Sequence, residues 1–262
     1  MTPHEIIGVV LVRNEDRFLD IALRNAAEFC DRFLLFDHGS TDRSPAILET
    51  FASASVPAEF RRITHPSESH DALRPLAGQS AWIFAVDGDE IYDPSGLARL
   101  RPRLLAGEFD SEWMVMGHVL HTVEFGAGDA RGFAAPPSRS ITKLYNFSAI
   151  TAWPGRSMER LHGGEPVFRP GFDASKKRLL MNEMPWDKSP LRCLHMCFCR
   201  RSSVEDEGSS PRRNIDELYN RGGWLTRLRA AIFRRDSSWK QERYRRGPVT
   251  TVATRPFFDE LL

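Results

Sequence analysis

Four cysteines occur in 262 residues, and three of them crowd together as Cys193, Cys197 and Cys199. So few, so unevenly placed, argue against a disulfide-stapled secreted scaffold and for reduced thiols. Long apolar runs are also missing. None reaches the roughly 20 residues that cross a bilayer. Met1 to Glu5 pass straight into the first apolar run without a leader-like stretch. These absences make a cytoplasmic protein the expectation. No internal repeat is found, and the net charge is only +1. The 41% hydrophobic content is enough for a substantial core.

What is present is most telling at Trp82-Ile83-Phe84-Ala85-Val86-Asp87-Gly88-Asp89-Glu90. An apolar, β-prone run stops abruptly in carboxylates grouped around a glycine. Carboxylates at the carboxyl end of a buried strand face the crevice where open α/β sheets bind ligands. Such a group suits a hard divalent cation, which takes oxygen ligands and commonly shares a phosphate. An EF-hand loop is a poor alternative, because Ile91 stands where a further oxygen ligand would be needed.

The first half supports a nucleotide-type sheet. Ile6 to Val12 is continuously apolar, as in a strand buried on both faces. It ends at Arg13-Asn14-Glu15-Asp16. Phe18, Leu19, Ala22, Leu23, Ala26 and Phe29 then recur at helical spacing, with Asn14 or Asp16 available as cap. Phe33 to Phe36 predicts a second strand, which ends at Asp37-His38-Gly39-Ser40-Thr41-Asp42. A helix from Ser44 to Ala54 follows, with Asp42 placed to start it, then a strand near Glu59 to Ile63 and one at Trp82 to Val86. Alternating strand and helix predicts a parallel sheet with right-handed crossovers.

Val-Arg-Asn-Glu after the first strand, Phe-Asp-His-Gly-Ser-Thr-Asp after the second and Val-Asp-Gly-Asp-Glu after the fourth resemble family-2 glycosyltransferases. The motifs are most similar to the branch reading Asn-Glu, Asp-Asn-Gly-Ser-Thr-Asp and Asp-X-Asp-Glu, and they cover roughly residues 5 to 95. The resemblance implies an α/β GT-A fold, with a mixed, mostly parallel sheet flanked by helices. It implies a hexosyltransferase-like enzyme, inverting in course, that moves a sugar from a nucleotide-diphosphate sugar to an acceptor hydroxyl. Asp37 would lie near base and ribose, with Val12, Arg13, Asn14, His38, Gly39 and Gly88 around the donor. His38 replaces the usual Asp or Asn, which leaves the base open. Glu15 reads as a solvated residue bordering this crevice. Asp87 and Asp89 would hold Mn²⁺ or Mg²⁺ on the diphosphate, joined by the late His195.

The second half is less regular. Glu112 to Val119 predicts one strand, Gly126 to Pro137 a mobile acceptor-side loop, and Ile141 to Tyr145 a further strand. The segment Trp153 to His162 partly resembles the family's Val-His-Glu element, with Met158 at the place of the histidine. Inverting transfer needs a base for the acceptor proton. Glu159 is the first candidate and Asp187 the second. Each has a structural alternative, an ion pair with Arg160 or Lys188.

Cys193, His195, Cys197 and Cys199 suggest zinc, but read as one strand they span roughly 20 Å at about 3.3 Å per residue, too far for a tetrahedral site. A helix does not gather all four either. The run therefore reads as a core strand, with Leu194, Met196 and Phe198 on one face and the cysteines on the other.

From Arg212 onward the chain is strongly basic, and Trp224, Leu225, Leu228 and Ile232 follow helical spacing. The expected division is a catalytic domain at 1–210 and a basic helical extension at 211–262. That helix either packs on the catalytic domain or lies in the membrane interface, which would suit a saccharide or lipid-linked saccharide acceptor and a place at the inner face of the membrane. No nucleic-acid module accompanies it, so no nucleic-acid partner is expected. Two rival classes remain. A sugar-phosphate nucleotidyltransferase would carry a glycine-rich basic loop where Arg13-Asn14-Glu15-Asp16 stands. A non-catalytic, membrane-associated nucleotide-binding protein would have little use for Asp87, Asp89 and Glu90.

Overall fold

The apolar run after Glu5 has no polar face to offer water, and it lies in the interior of a sheet with a strand on either side. The computed structural model describes residues 5–54, 56–136, 143–155, 157–205 and 243–258. The first half runs β1 (Glu5–Val12), α1 (Leu19–Ala27), β2 (Arg32–Asp37), α2 (Ser44–Ala52), β3 (Ala58–Arg62), α3 (Glu68–Asp71), β4 (Ala81–Val86), β5 (Glu90–Tyr92) and α4 (Pro94–Leu105). The second half adds β6 (Met114–Met116), β7 (His118–Phe125), β8 (Asp129–Ala135), β9 (Lys143–Asn146), β10 (Ile150–Ala152), β11 (Ser157–Glu159), β12 (His162–Gly163) and β13 (Val167–Phe168). It closes with β14 (Lys177–Leu179), α5 (Leu180–Glu183), β15 (Arg192–His195) and β16 (Val249–Ala253).

The central sheet has seven strands in the order β14-β6-β9-β4-β1-β2-β3. β4, β1, β2 and β3 are mutually parallel, β9 runs against both β4 and β6, and β14 is parallel to β6. The expected mixed, mostly parallel sheet flanked by helices is therefore what the chain forms. Successive strand residues face opposite sides. Ile6, Val10, Trp82 and Phe84 pack with Leu19, Leu23 and Phe29 on one face. Ile7, Val9, Ile83 and Ala85 pack with Phe147 and Trp153 on the other. Burial on both faces explains why β1 and β4 read as unbroken apolar runs rather than alternating ones.

A second sheet, β16-β8-β7-β15-β5, adjoins it. Here three expectations are corrected. The single strand from Glu112 to Val119 is two strands in different sheets, because the chain changes sheet at Gly117. A Cβ there would sit 1.9 Å from the Leu191 carbonyl oxygen, so only glycine lets the backbones approach this closely. The Gly126–Pro137 stretch is mostly strand: β8 pairs antiparallel with β7 and with β16. β16 itself lies in the extension expected to be helical. The described end of that extension is a strand of the second sheet, while the helix expected over Trp224–Ile232 falls outside the described residues. Isoleucine 141 and threonine 142 lie outside them too; the strand expected there appears as β9. No described helix is long and apolar enough to cross a membrane.

Candidate functional site

Three parallel strands end side by side. In the pairing of β1 with β2, Val12 lies opposite Asp37, and in that of β1 with β4, Val10 lies opposite Val86. The segments after these strands, 13–16, 37–42 and 87–90, therefore emerge at one edge of the sheet, the position that binds ligands in open α/β folds.

Each turn is held by the others. Asn14 adopts φ 56°, a left-handed conformation that asparagine tolerates better than most residues. Its backbone N–H donates to Ser40 Oγ at 2.9 Å, and its Oδ1 accepts from Thr41 N at 2.7 Å. Asp37 is buried, and its carboxylate accepts from Ser40 N at 3.3 Å. Gly39, at φ +66°, makes the turn between them. Val12 is buried and Arg13 exposed. Burial and the nearby Arg13 charge depress the His38 pKa, which favours the neutral ring. Asp42 lies one residue before the cap position of α2, which Arg43 holds without a side-chain cap bond, and it accepts from Ser44 N at 2.9 Å across that position. Neither Asn14 nor Asp16 caps α1: the Glu15 carbonyl accepts from Phe18 N and Leu19 N instead.

Glu15 departs from the expectation of a solvated residue. It is buried, and its Oε2 accepts from Gly88 N at 3.1 Å, which ties the end of β1 to the carboxylate turn. A Cβ on Gly88 would come within 2.6 Å of that same oxygen. Glu90, the third carboxylate of the turn, points into the core and accepts from Tyr92 Oη at 3.0 Å.

Asp87 and Asp89 each face a guanidinium. Asp87 is ion-paired with Arg160, which also donates to the Val86 carbonyl at 3.2 Å. Arg160 Nη2 lies 3.8 Å from Glu159, whose Oε1 is 2.7 Å from His162 Nδ1. The structure thus brings the first base candidate to the carboxylate turn through an arginine. Burial alone would raise the Glu159 pKa, but the His162 hydrogen bond and the Arg160 charge outweigh it and lower it to about 2. Arg160 has φ 25°, an uncommon backbone for a non-glycine residue and one often found at constrained functional sites.

Asp89 Oδ2 accepts from Arg201 Nη1 at 2.6 Å and lies 3.6 Å from His195 Nε2. Burial opposes its ionisation, yet the Arg201 and His195 charges hold it well below the ordinary carboxylate range. Arg201 Nη1 is also 3.6 Å from Glu15 Oε1. Beyond it, Ser202 Oγ donates to Asp42 at 2.6 Å and Ser203 N donates to Asp16 at 2.7 Å, so residues 201–203 pack against the turns that follow β1 and β2.

Asp187 sits apart in character: it is exposed, and Lys188 lies 3.5 Å from it. Sequence reasoning took Glu15 for a solvated residue, and missed Arg201 and the pairing of Glu159 with His162. For the last, the signal was a Glu-x-x-His spacing inside an otherwise partial motif. Nothing local announces the Arg201 guanidinium, whose partners Asp89 and Glu15 lie more than a hundred residues away.

No family model matches the chain, and no curated protein matches it. Among solved structures, glucosyl-3-phosphoglycerate synthase from Mycobacterium tuberculosis, in complex with Mn²⁺ and uridine-diphosphate-glucose, is similar over 44% of this chain and 44% of its own, with 20% identity and a TM-score of 0.34. The match thus spans less than half of that protein, and at this level of similarity it fixes neither activity nor substrate.

Proposed function

We propose that this chain is a nucleotide-sugar glycosyltransferase of the GT-A type, transferring a sugar to an acceptor hydroxyl. The observation that carries the reading is the convergence of Asp37, Asp87 and Asp89 at the carboxyl ends of adjacent parallel strands, with Asn14, Gly39 and Gly88 shaping the turns between them. Asp37 is assigned to base and ribose, and the turn from Asp87 to Asp89 to the diphosphate.

A hard divalent ion suits this donor set in kind. Both aspartates offer the oxygen donors such an ion takes, and each is met in this structure by a guanidinium, Arg160 at Asp87 and Arg201 at Asp89. When bound, Mn²⁺ or Mg²⁺ held by Asp89 and Asp87 would neutralise the charge that develops on the departing diphosphate. The chain's own residues do the rest. Glu159 stays ionised and orients the His162 imidazole, whose other ring nitrogen is of the type that accepts a proton in general base catalysis. His162 is thereby assigned as the base that receives the acceptor proton, in place of a direct role for Glu159. Asp187 is the remaining carboxylate candidate. The acceptor is proposed to be a saccharide or lipid-linked saccharide, and the basic residues beyond Arg212 a means of holding the enzyme at an anionic membrane surface.

The ion pairs Asp87–Arg160 and Asp89–Arg201 favour a second reading, in which the two guanidinium groups neutralise the diphosphate without a metal. One experiment separates the possibilities: thermal unfolding of the full chain with UDP, GDP, ADP and dTDP, each with and without Mn²⁺. A ligand that binds the native state raises the melting temperature by mass action. A rise that requires Mn²⁺ supports the metal-dependent reading, and a rise in its absence supports the arginine reading. No rise with any nucleoside diphosphate would overturn both.

A further inference from the structure

We propose that His121, His195 and Cys197 form a binding site for a borderline divalent ion of the zinc class, separate from the carboxylate pair.

The site arises from strand register. β7 and β15 run parallel with His121 opposite His195, so the two rings project from neighbouring positions on one face. Their Nδ1 atoms lie 3.0 Å apart. β15 ends at His195 and the chain turns there: Met196 N donates to the Asp89 carbonyl at 2.8 Å, and Cys199 N to the Met196 carbonyl at 2.9 Å. This turn brings Cys197 Sγ to 3.9 Å from His121 Nδ1, and the three ligand atoms all lie within 4.8 Å of one another. Zinc held tetrahedrally at its usual bond lengths separates two nitrogens by about 3.3 Å and a nitrogen from a sulfur by about 3.6 Å. The His121–His195 and His121–Cys197 separations, 3.0 and 3.9 Å, each differ from these by about 0.3 Å.

The surroundings are those of a built site. Both histidines are buried. The Tyr244 ring stacks on His121 at 4.1 Å and 16° and meets His195 edge-on at 5.4 Å, forming a wall. With Nδ1 turned to the ion, His195 presents Nε2 to Asp89. Metal-ligating histidines commonly show this arrangement, the second ring nitrogen donating to a carboxylate that fixes the ring. His195 then belongs to this site rather than to a diphosphate ion, and Asp89 links the two. Thiolate and imidazole select zinc-class ions over Mn²⁺ and Mg²⁺, which prefer oxygen. Three protein ligands leave a fourth position open, as in catalytic and exchangeable zinc sites rather than closed structural ones.

The same 3.0 Å between nitrogens also suits a hydrogen bond, so the test must separate an ion from a hydrogen-bonded pair. The inference does not depend on the glycosyltransferase reading, and its assay contains no nucleotide. The untagged full chain, stripped with chelator, is titrated with Co²⁺ and followed by absorption. The expected result is saturation at one equivalent, with intense tetrahedral d–d bands and a thiolate-to-Co²⁺ charge-transfer band. Zn²⁺ should bleach both, and equal Mn²⁺ should not. Cys197→Ser should abolish the charge-transfer band, His121→Ala should abolish stoichiometric binding, and Cys199→Ser should leave the spectrum unchanged. Far-ultraviolet dichroism of Cys197→Ser, a near-isosteric change at a half-buried position, checks that the fold persists. Absence of a charge-transfer band, or a band that survives Cys197→Ser, would overturn the assignment and leave the three as a hydrogen-bonded cluster.

Discussion

Arg201 and Asp89 meet at 2.6 Å although 112 residues separate them, and both side chains are buried. Removing one member of a buried pair strands the other, at a cost of about 3–5 kcal/mol. Arg201→Ala and Asp89→Ala should therefore each lower stability by about that much in urea unfolding. The double variant should lose clearly less than the sum. This tempers any use of Asp89→Ala as a purely functional probe. Asp89→Asn, which keeps the shape, is the better one: it should abolish any Mn²⁺-dependent rise in melting temperature with nucleoside diphosphate.

Glu159 and His162 predict a split in kinetic effects. If the imidazole takes the acceptor proton, His162→Ala should lower kcat by about 10²–10⁴-fold, read as release of nucleoside diphosphate, with little change in donor KM. Glu159→Gln should give a smaller loss, because it disturbs the orientation of the ring while leaving the ring present. An unchanged kcat in His162→Ala would return the role of base to Glu159 or Asp187.

Acid should destabilise the fold in a defined window. The Glu159 pKa is lowered from 4.5 to about 2, and that of Asp89 is also lowered. A carboxylate depressed in the folded state contributes its full stability above the unfolded pKa and loses it as pH falls through the folded one. For Glu159 the stabilisation is complete above about pH 4.5 and disappears towards about pH 2. Urea midpoints should fall across that interval, and Glu159→Gln should flatten the fall.

Gly117 carries a packing prediction. With the Leu191 carbonyl 1.9 Å from any added Cβ, Gly117→Ala forces β7 and the Leu191 backbone apart. The expected destabilisation is about 1–3 kcal/mol or more, whereas Gly126→Ala, where nothing lies within 4 Å, should be nearly neutral.

The half of the fold built from consecutive βα units was legible, and for a physical reason. β1, β2 and β4 are buried on both faces, so their apolar runs end where the strands end, and the polar turns of the site follow directly. Asp37, Asp87 and Asp89 could be placed at strand ends because that boundary is local. What failed was non-local. The change of sheet at Gly117 depends on how closely the Leu191 backbone approaches. The run from Cys193 to Cys199 read as one strand throughout because its apolar residues alternate. The strand stops at His195, and the partner histidine comes from β7. Arg160 could be paired with its neighbour Glu159 but not with Asp87, and Arg201 was visible only as an arginine, since a charge in sequence does not say which distant carboxylate it will meet.

β16 contributes its whole length, Val249 to Ala253, to pairing with β8. Cutting the chain near residue 210 would strip β8 of that neighbour and leave a row of unsatisfied amide and carbonyl groups along it, the kind of surface that recruits strands from other molecules. Such a shortened protein should self-associate or precipitate even with every crevice residue intact, and light scattering beside the uncut chain would reveal it.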